Sequence, residues 1–191
     1  MNAPAGRYGE AVETYYGLYA GVVEDNKDPE NRARVRVKLA WIASDFTTEW
    51  ATVAQIYAGD GYGAYWIPEI DDQVIVAFMQ GQLRQPIVVG SLYSQAATPE
   101  IVRGSNSDPK YFRTRGGHML LMEDGSGRKI ELIDATGDNS VLIDSEANSI
   151  TVKAAADVTI EATGSLTLKG KDVTIKAAGS VTVSGSTINL N

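Results

Sequence analysis

Two pairs of adjacent carboxylates, Asp71 with Asp72 and Glu123 with Asp124, are the residues of this sequence whose spacing could serve catalysis. Neighbouring carboxylates can act as a general acid and base, or can bind Mg²⁺, when a pocket and partner groups accompany them. Both pairs adjoin turn residues, where Asp is common because its side chain hydrogen-bonds the nearby backbone. We therefore expect structural roles for both pairs, no catalytic residues and no enzyme activity.

The residue types present do not favour a metal site or a phosphate site. His118 is the single histidine and the chain has no cysteine, so the nitrogen and sulfur ligands of a zinc site are lacking. The glycine-rich stretch at residues 59–63 has no helical pattern after it and no Gly-Lys-Ser/Thr ending, which a phosphate-binding loop requires. The sequence thus predicts no metal and no cofactor.

A basic stripe and a group of aromatic residues could together bind single-stranded nucleic acid, with bases stacked on the rings. The net charge of −7 opposes this, because such binding depends on neutralising phosphates. We expect the stripe to be a solvated strand face or a contact to an acidic partner, and the aromatics to close a barrel. The residues concerned are Arg32, Arg34, Arg36 and Lys38, with Tyr62, Tyr65 and Trp66.

The start of the chain lacks the basic and then apolar pattern of a signal peptide, and no apolar run is long enough to span a bilayer. We expect a protein made and assembled in the cytoplasm without a signal peptide.

The elements that would position these residues are β-strands. Residues 15–95 contain five or six strand patterns joined by Gly, Pro and Asp turns, which favours a small closed barrel. Within it we predict a strand over residues 51–57 and a loop over 58–63. Residues 1–14 are expected to form a flexible arm and residues 96–110 a linker.

Residues 111–191 predict a β-helix needle. Residues 111–140 read as a hairpin that leads into it, with one strand over 111–122 and a turn after Glu123 and Asp124. Residues 141–191 read as a regular repeat. Its six clearest units, from Ile150 to Leu190, are apolar, polar and apolar in turn, and each begins seven or eight residues after the last.

Each unit fits one face of a β-helix, and two arrangements can bury the apolar residues. A single-chain solenoid would complete only about two turns with six units, fewer than the roughly three repeats that stacked folds need. Three intertwined chains would pair every strand with another copy, so we favour the trimer. A flexible tail would not keep the apolar residues in phase. The predicted trimer core is Val141, Ile143, Ile150, Val152, Val158, Ile160, Leu166, Leu168, Val173, Ile175, Val181 and Val183.

Three segments together resemble the spike proteins of contractile tails, which include the phage baseplate spike and the VgrG spike of type VI secretion. The run IPEIDDQVIVAF at residues 67–78, followed by PIVVGSLY at 86–93, resembles their OB-fold. The run TRGGH at residues 114–118 resembles the segment before their needle, and the terminal repeat resembles the trimeric needle itself. The implied fold is all-β: an N-terminal OB-fold barrel, then a C-terminal intertwined triple-stranded β-helix.

The resemblance implies a homotrimer under the tail hub, resident in the baseplate of a virion or tail-like particle, that pierces the target envelope on sheath contraction. Hub and baseplate proteins, effector cargo and, transiently, the target membrane are the implied partners, and nucleic acid is not. Some spikes of this class carry a His-x-His iron site, which the single His118 cannot build. We expect Ile188, Leu190 and Asn191 to dock a separate PAAR-type tip protein. The alternative function is an OB-fold nucleic-acid-binding protein with a β-solenoid tail.

Overall fold

A computed structural model describes residues 14–189, and within that range its regular structure is almost entirely β. The predicted arm at residues 1–14 lies outside the described residues except for Thr14. The chain divides into two compact units between Ile101 and Val102, inside the predicted linker. The strands are β1 Tyr19–Asp25, β2 Arg34–Lys38, β3 Ala51–Val53, β4 Ala58–Gly59, β5 Tyr62–Gly63, β6 Gln73–Phe78, β7 Pro86–Leu92, β8 Pro109–Arg113, β9 Met119–Glu123, β10 Lys129–Ile133, β11 Ser140–Asp144 and β12 Ser149–Lys153, with a 3₁₀ turn at Met79–Gly81.

The first unit is a closed five-stranded barrel with the strand order β1-β2-β3-β7-β6. Strands β3 and β7 pair in parallel, and the other neighbours in the barrel pair antiparallel. The all-β class is therefore confirmed, and the barrel agrees with the predicted OB-fold. In the described range no helix is long and apolar enough to cross a membrane.

The barrel core follows from strict alternation along the strands. In β2, Val35 and Val37 point inward and are fully buried, while the basic residues that alternate with them point outward. Burying each Val stabilises the fold by about 1.5–3 kcal/mol. Gly21 on β1 packs against this layer so closely that an added Cβ would lie 2.5 Å from Val37 and 2.6 Å from Leu39. The other buried apolar residues of the core are Val23, Ala51, Val74, Val76, Phe78 and Val88.

Two predictions within the barrel unit are wrong. The strand expected over residues 51–57 ends at Val53, where its pairing with β7 ends. The loop expected over residues 58–63 is instead a two-stranded hairpin, in which Ala58 pairs with Gly63. Asp60 and Gly61 form its turn, and Gly61 has a φ of +75°, as hairpin turns with Asp-Gly require.

The second unit contains a five-stranded antiparallel sheet in which β8 to β12 follow one another in space as in sequence. The single strand expected over residues 111–122 is divided into β8 and β9 by a turn at residues 114–118. Gly117 has a φ of +103° there, and the backbone N–H of His118 donates to the Thr114 hydroxyl at 3.1 Å. The predicted hairpin after Glu123 is confirmed, since β9 pairs with β10.

The first units of the repeat belong to this sheet. Strand β11 pairs antiparallel with β10 on one side and β12 on the other, so residues 140–153 are paired within one chain. The in-chain sheet thus extends past residue 140, where the regular repeat was predicted to begin. From residue 154 to residue 189 the chain has no strand pairing of its own.

Candidate assembly interface

One face of the five-stranded sheet is apolar apart from Lys110 on the edge strand β8, which lies opposite Met122. Residues directly opposite each other on paired strands place their side chains on the same face of the sheet. The register therefore aligns Ile143 with Ile130 on one side and Ile150 on the other, and aligns Val141 with Leu132 and Val152 in the same way. We call this surface the apolar face; its members are Phe112, Leu120, Met122, Ile130, Leu132, Val141, Ile143, Ile150 and Val152.

The apolar face is uncovered in the single chain. Val152 retains 62% of its surface, and Ile130, Leu132, Val141, Ile143 and Ile150 are all exposed. The opposite face is more polar and includes the ion pair of Lys129 with Glu131 at 2.9 Å, yet its Leu121 is buried. A contiguous apolar surface of this kind marks an interaction site.

Residues 154–189 continue the uncovered apolar pattern. Each apolar residue from Val158 to Val183 that was predicted to lie in the trimer core is more than half exposed, and Ile188 retains 49% of its surface. Neither their side chains nor their backbone groups find strand partners in this chain. Strands cannot persist without such pairing, so this segment needs partners from outside the chain.

The structure brings together four of the predicted core residues: Val141, Ile143, Ile150 and Val152 share the apolar face. The eight from Val158 to Val183 lie along the extended segment and are not gathered within one chain. Of the predicted docking residues, Ile188 is exposed, while Leu190 and Asn191 lie outside the described residues.

Sequence reasoning missed five members of the apolar face. They lie in the hairpin before the regular repeat, where the alternation of Lys129, Ile130, Glu131 and Leu132 was the available signal. Read as a half-buried strand, that alternation would have extended the predicted interface by one strand, β10. The five are Phe112, Leu120, Met122, Ile130 and Leu132.

One carboxylate of each adjacent pair, Glu123 and Asp72, accepts hydrogen bonds from the backbone. The Glu123 carboxylate accepts from the N–H of Asp108 at 2.6 Å, the hydroxyl of Ser107 at 2.7 Å and the N–H of Gly125 at 2.7 Å. These bonds, led by the Asp108 N–H, lower the pKa of Glu123. Asp124 pairs with Lys110 at 2.9 Å. The cluster ties the loop at residues 102–108 to the turn after β9.

The pair in the barrel unit forms a turn. The Asp72 carboxylate accepts from the N–H of Glu69 at 2.8 Å, and the N–H of Asp71 donates to the Val23 carbonyl at 2.9 Å. Asp71 has a φ of +75°, a left-handed conformation that Asp tolerates better than most residues.

Two residues of the basic stripe, Arg34 and Arg36, bind other groups of the barrel unit. Arg34 is only 11% exposed and pairs with Asp28 at 2.7 Å and Glu30 at 3.1 Å. Its guanidinium, hydrogen-bonded to the Asp28 carboxylate, holds the pKa of Asp28 well below its usual range. Arg36 donates from Nε to the Thr48 carbonyl. Charges used in this way are not free to neutralise phosphates.

A second exposed surface lies on the hairpin of β4 and β5. The Tyr57 and Tyr62 rings pair with centroids 5.4 Å apart, and the Gln55 amide fixes the Trp66 backbone by accepting from its N–H and donating to its carbonyl. We call this surface the aromatic hairpin; its exposed members are Ile56, Tyr57, Tyr62, Tyr65 and Trp66. Tyr62, Tyr65 and Trp66 were predicted to close the barrel, but their exposed side chains do not fit that role.

Across residues 14–189 no group of three or more His, Asp or Glu side chains is placed to hold a metal ion.

Comparison with known proteins gives a consistent result. The family model for the "Type VI secretion system/phage-baseplate injector OB domain" matches residues 19–93, which span the barrel. The chain is 30% identical over 130 residues to the type VI secretion system spike protein VgrG3 of Vibrio cholerae, covering 63% of this chain and 13% of that protein. It is 29% identical over 127 residues to VgrG1a of Pseudomonas aeruginosa, covering 60% of this chain and 20% of the relative.

Another relative, the actin cross-linking toxin VgrG1 of Vibrio cholerae, is 29% identical over 126 residues, which cover 61% of this chain and 12% of that protein. The chain thus spans between 12% and 20% of the length of these relatives. The resemblance to VgrG-like baseplate spike proteins that the sequence predicted is confirmed.

Proposed function

From the injector OB domain and the likeness to VgrG spikes, we propose that this chain is the central spike of a contractile phage tail or tail-like injection system. Three copies lie under the tail hub and pierce the target envelope when the sheath contracts. The observation that carries this proposal is the uncovered apolar face, which continues into an unpaired apolar repeat directly after an injector OB domain.

Three copies would cover the apolar face of each chain and supply strand partners for its unpaired segment. Three sheets that turn their apolar faces toward one axis form a closed prism, in which each face covers the other two. Beyond residue 154 the three chains pair their strands with one another, and the residues from Val158 to Val183 line the axis. At about 4.7 Å per layer, the six repeat units contribute roughly 30 Å of needle.

The work of this spike is mechanical. A needle in which every strand pairs with other copies has little free edge to peel away. Of the carboxylates that could have served catalysis, Glu123 and Asp72 bind backbone N–H groups instead. We therefore propose a spike without enzyme activity, whose relatives include proteins named as spikes and one named as a toxin.

Partners are assigned to separate surfaces. The aromatic hairpin is the proposed contact with the hub, because exposed Tyr and Trp side chains are typical anchors of protein interfaces. The distal segment with Ile188, Leu190 and Asn191 is the proposed dock for a PAAR-type tip protein, and effector cargo travels with the complex. Assembly takes place in the cytoplasm, and the product resides in the baseplate.

The nucleic-acid alternative is not favoured. Arg34 and Arg36 are held by Asp28 and by the Thr48 carbonyl, and the chain carries a net charge of −7. Tight binding of labelled single-stranded DNA at physiological salt would restore that alternative.

Mass in solution tests the proposal directly. One chain has a mass of 20.5 kDa, so a trimer has three times that mass, about 61 kDa. Light scattering on the purified full chain should give the trimer mass over a wide concentration range. A monomer at micromolar concentration would refute the assembly, and with it the spike.

A further inference from the structure

Three side chains of the second unit join neighbouring segments by accepting a backbone N–H. Glu123 accepts from Asp108 at 2.6 Å, Glu146 accepts from Gly127 at 2.9 Å, and Asn139 accepts from Ala155 at 2.9 Å. The Asn139 bond is the last of the three along the chain. It lies where the in-chain sheet ends and the unpaired segment begins.

The orientation of the Asn139 amide is determined by its neighbour Asp134. Asn139 donates from its backbone N–H to Asp134 Oδ1 at 3.1 Å and from Nδ2 to Asp134 Oδ2 at 2.9 Å. Thr136 also donates its hydroxyl to Asp134. An ionised carboxylate only accepts hydrogen bonds, so the amide nitrogen must face Asp134. The amide oxygen is thereby left pointing at the N–H of Ala155.

Ala155 is the point at which the chain leaves its sheet. The last pair between β11 and β12 at this end is Ser140 with Lys153, and the backbone bends at residues 155 and 156. Every earlier strand of this sheet folds back on its predecessor, whereas the segment beyond Ala155 does not. The Asn139 oxygen therefore holds the first residue of the bend.

We propose that Asn139 is a positioning residue that anchors this bend, so that three chains leave their sheets at the same height and enter the shared needle in register. This inference rests on the proposed trimer. Side chains alternate along a strand, so a slip of one residue would turn Val158 and Ile160 outward and Thr159 toward the axis. A fixed exit point prevents that slip before the first shared layer forms.

The test uses the full chain with three variants. Asn139→Ala removes the acceptor for Ala155. The exchanged pair Asp134→Asn with Asn139→Asp restores it, because the new amide at 134 donates to the new carboxylate at 139, whose second oxygen faces Ala155. Asp138→Ala is the matched control in the same turn. Oligomer mass, the rate of trimer recovery after denaturation and hydrogen exchange of residues 154–161 are measured for each.

We expect Asn139→Ala to raise exchange of residues 154–161 roughly tenfold, the scale of one lost hydrogen bond, and to slow trimer recovery. The exchanged pair should return both values to within about twofold of the parent, as one satisfied acceptor replaces another. Exchange in β9 and β10 reports whether the sheet itself is intact. If Asn139→Ala does not assemble at all, recovery of assembly by the exchanged pair supports the proposal.

Two results would overturn it: a trimeric Asn139→Ala variant that exchanges and recovers like the parent, or an exchanged pair that behaves like Asn139→Ala. A parent chain that is monomeric would instead refute the proposed function, and the inference with it.

Discussion

Val152 and Thr151 are adjacent on β12 and point to opposite faces of the sheet, and both are exposed in the single chain. An Asp at either position would therefore be harmless to an isolated chain. In the proposed trimer only position 152 faces the axis. Replacing Val152 by Asp should prevent assembly, whereas Thr151→Asp should leave it intact, which makes the pair a matched test of the apolar face.

The magnitude follows from the exposure of Val152. Since 62% of its surface remains to be buried, each chain forfeits about 1–2 kcal/mol of the full burial energy of a valine, or about 3–6 kcal/mol for three chains. Burying an ionised carboxylate adds a penalty of several kcal/mol per chain. The total, upward of about 10 kcal/mol, is comparable to the whole stability of a typical domain.

Light scattering at neutral pH is the assay, and pH supplies an internal check. Burial raises the pKa of a carboxyl group, so the penalty from an Asp at position 152 is present above that raised pKa and is relieved as the pH falls through it. The variant should therefore be monomeric at neutral pH and regain some trimer in mild acid. A Val152→Asp trimer as stable as the parent, or equal dissociation of Thr151→Asp, would refute the assignment of the apolar face.

Three further outcomes are expected. Because Arg34 lowers the pKa of Asp28, the pair stabilises the barrel at any pH above the ordinary pKa of an Asp carboxyl, and this contribution is lost as the pH falls below about 4. Melting curves should therefore show a weaker dependence on acid pH in Asp28→Asn than in the parent. Gly21→Ala should destabilise the barrel by about 1–3 kcal/mol through overpacking, while Gly90→Ala, which has open space around it, should leave the melting temperature unchanged. Trp66→Ala should weaken binding to the hub protein about tenfold or more without altering the trimer mass or melting temperature, and unchanged binding would remove the aromatic hairpin from the interface.

The barrel could be predicted because its strands carry the signal in their own residues. Val35 and Val37 alternate with charged residues, and a run of this kind has only one face to bury. The small hairpin was missed because Asp60 and Gly61 lie among other glycines, which read as a loop. The division of β8 from β9 was missed because residues 111–122 were read as one strand, whereas Gly117 takes the positive φ of a turn.

The pattern of the repeat does not predict where pairing within one chain ends. Ile150 and Val152 show the same pattern as Val158 and Ile160, yet the first pair lies in a strand paired within the chain and the second does not. A strand with one apolar face pairs equally well with its own chain or with another copy. The difference depends on what joins the strands, and in this chain the Asn139 amide and the turn around Asp134 mark the change.

The uncovered apolar face also affects the life of a newly made chain. Until its partners arrive, each copy displays β-branched residues along an open sheet and an unpaired tail, features that favour aggregation. Assembly depends on the meeting of several copies, so it speeds up steeply with local concentration, whereas loss to aggregates or proteases begins at once. Synthesis of many copies from one message, close together and close in time, therefore favours assembly over aggregation and degradation.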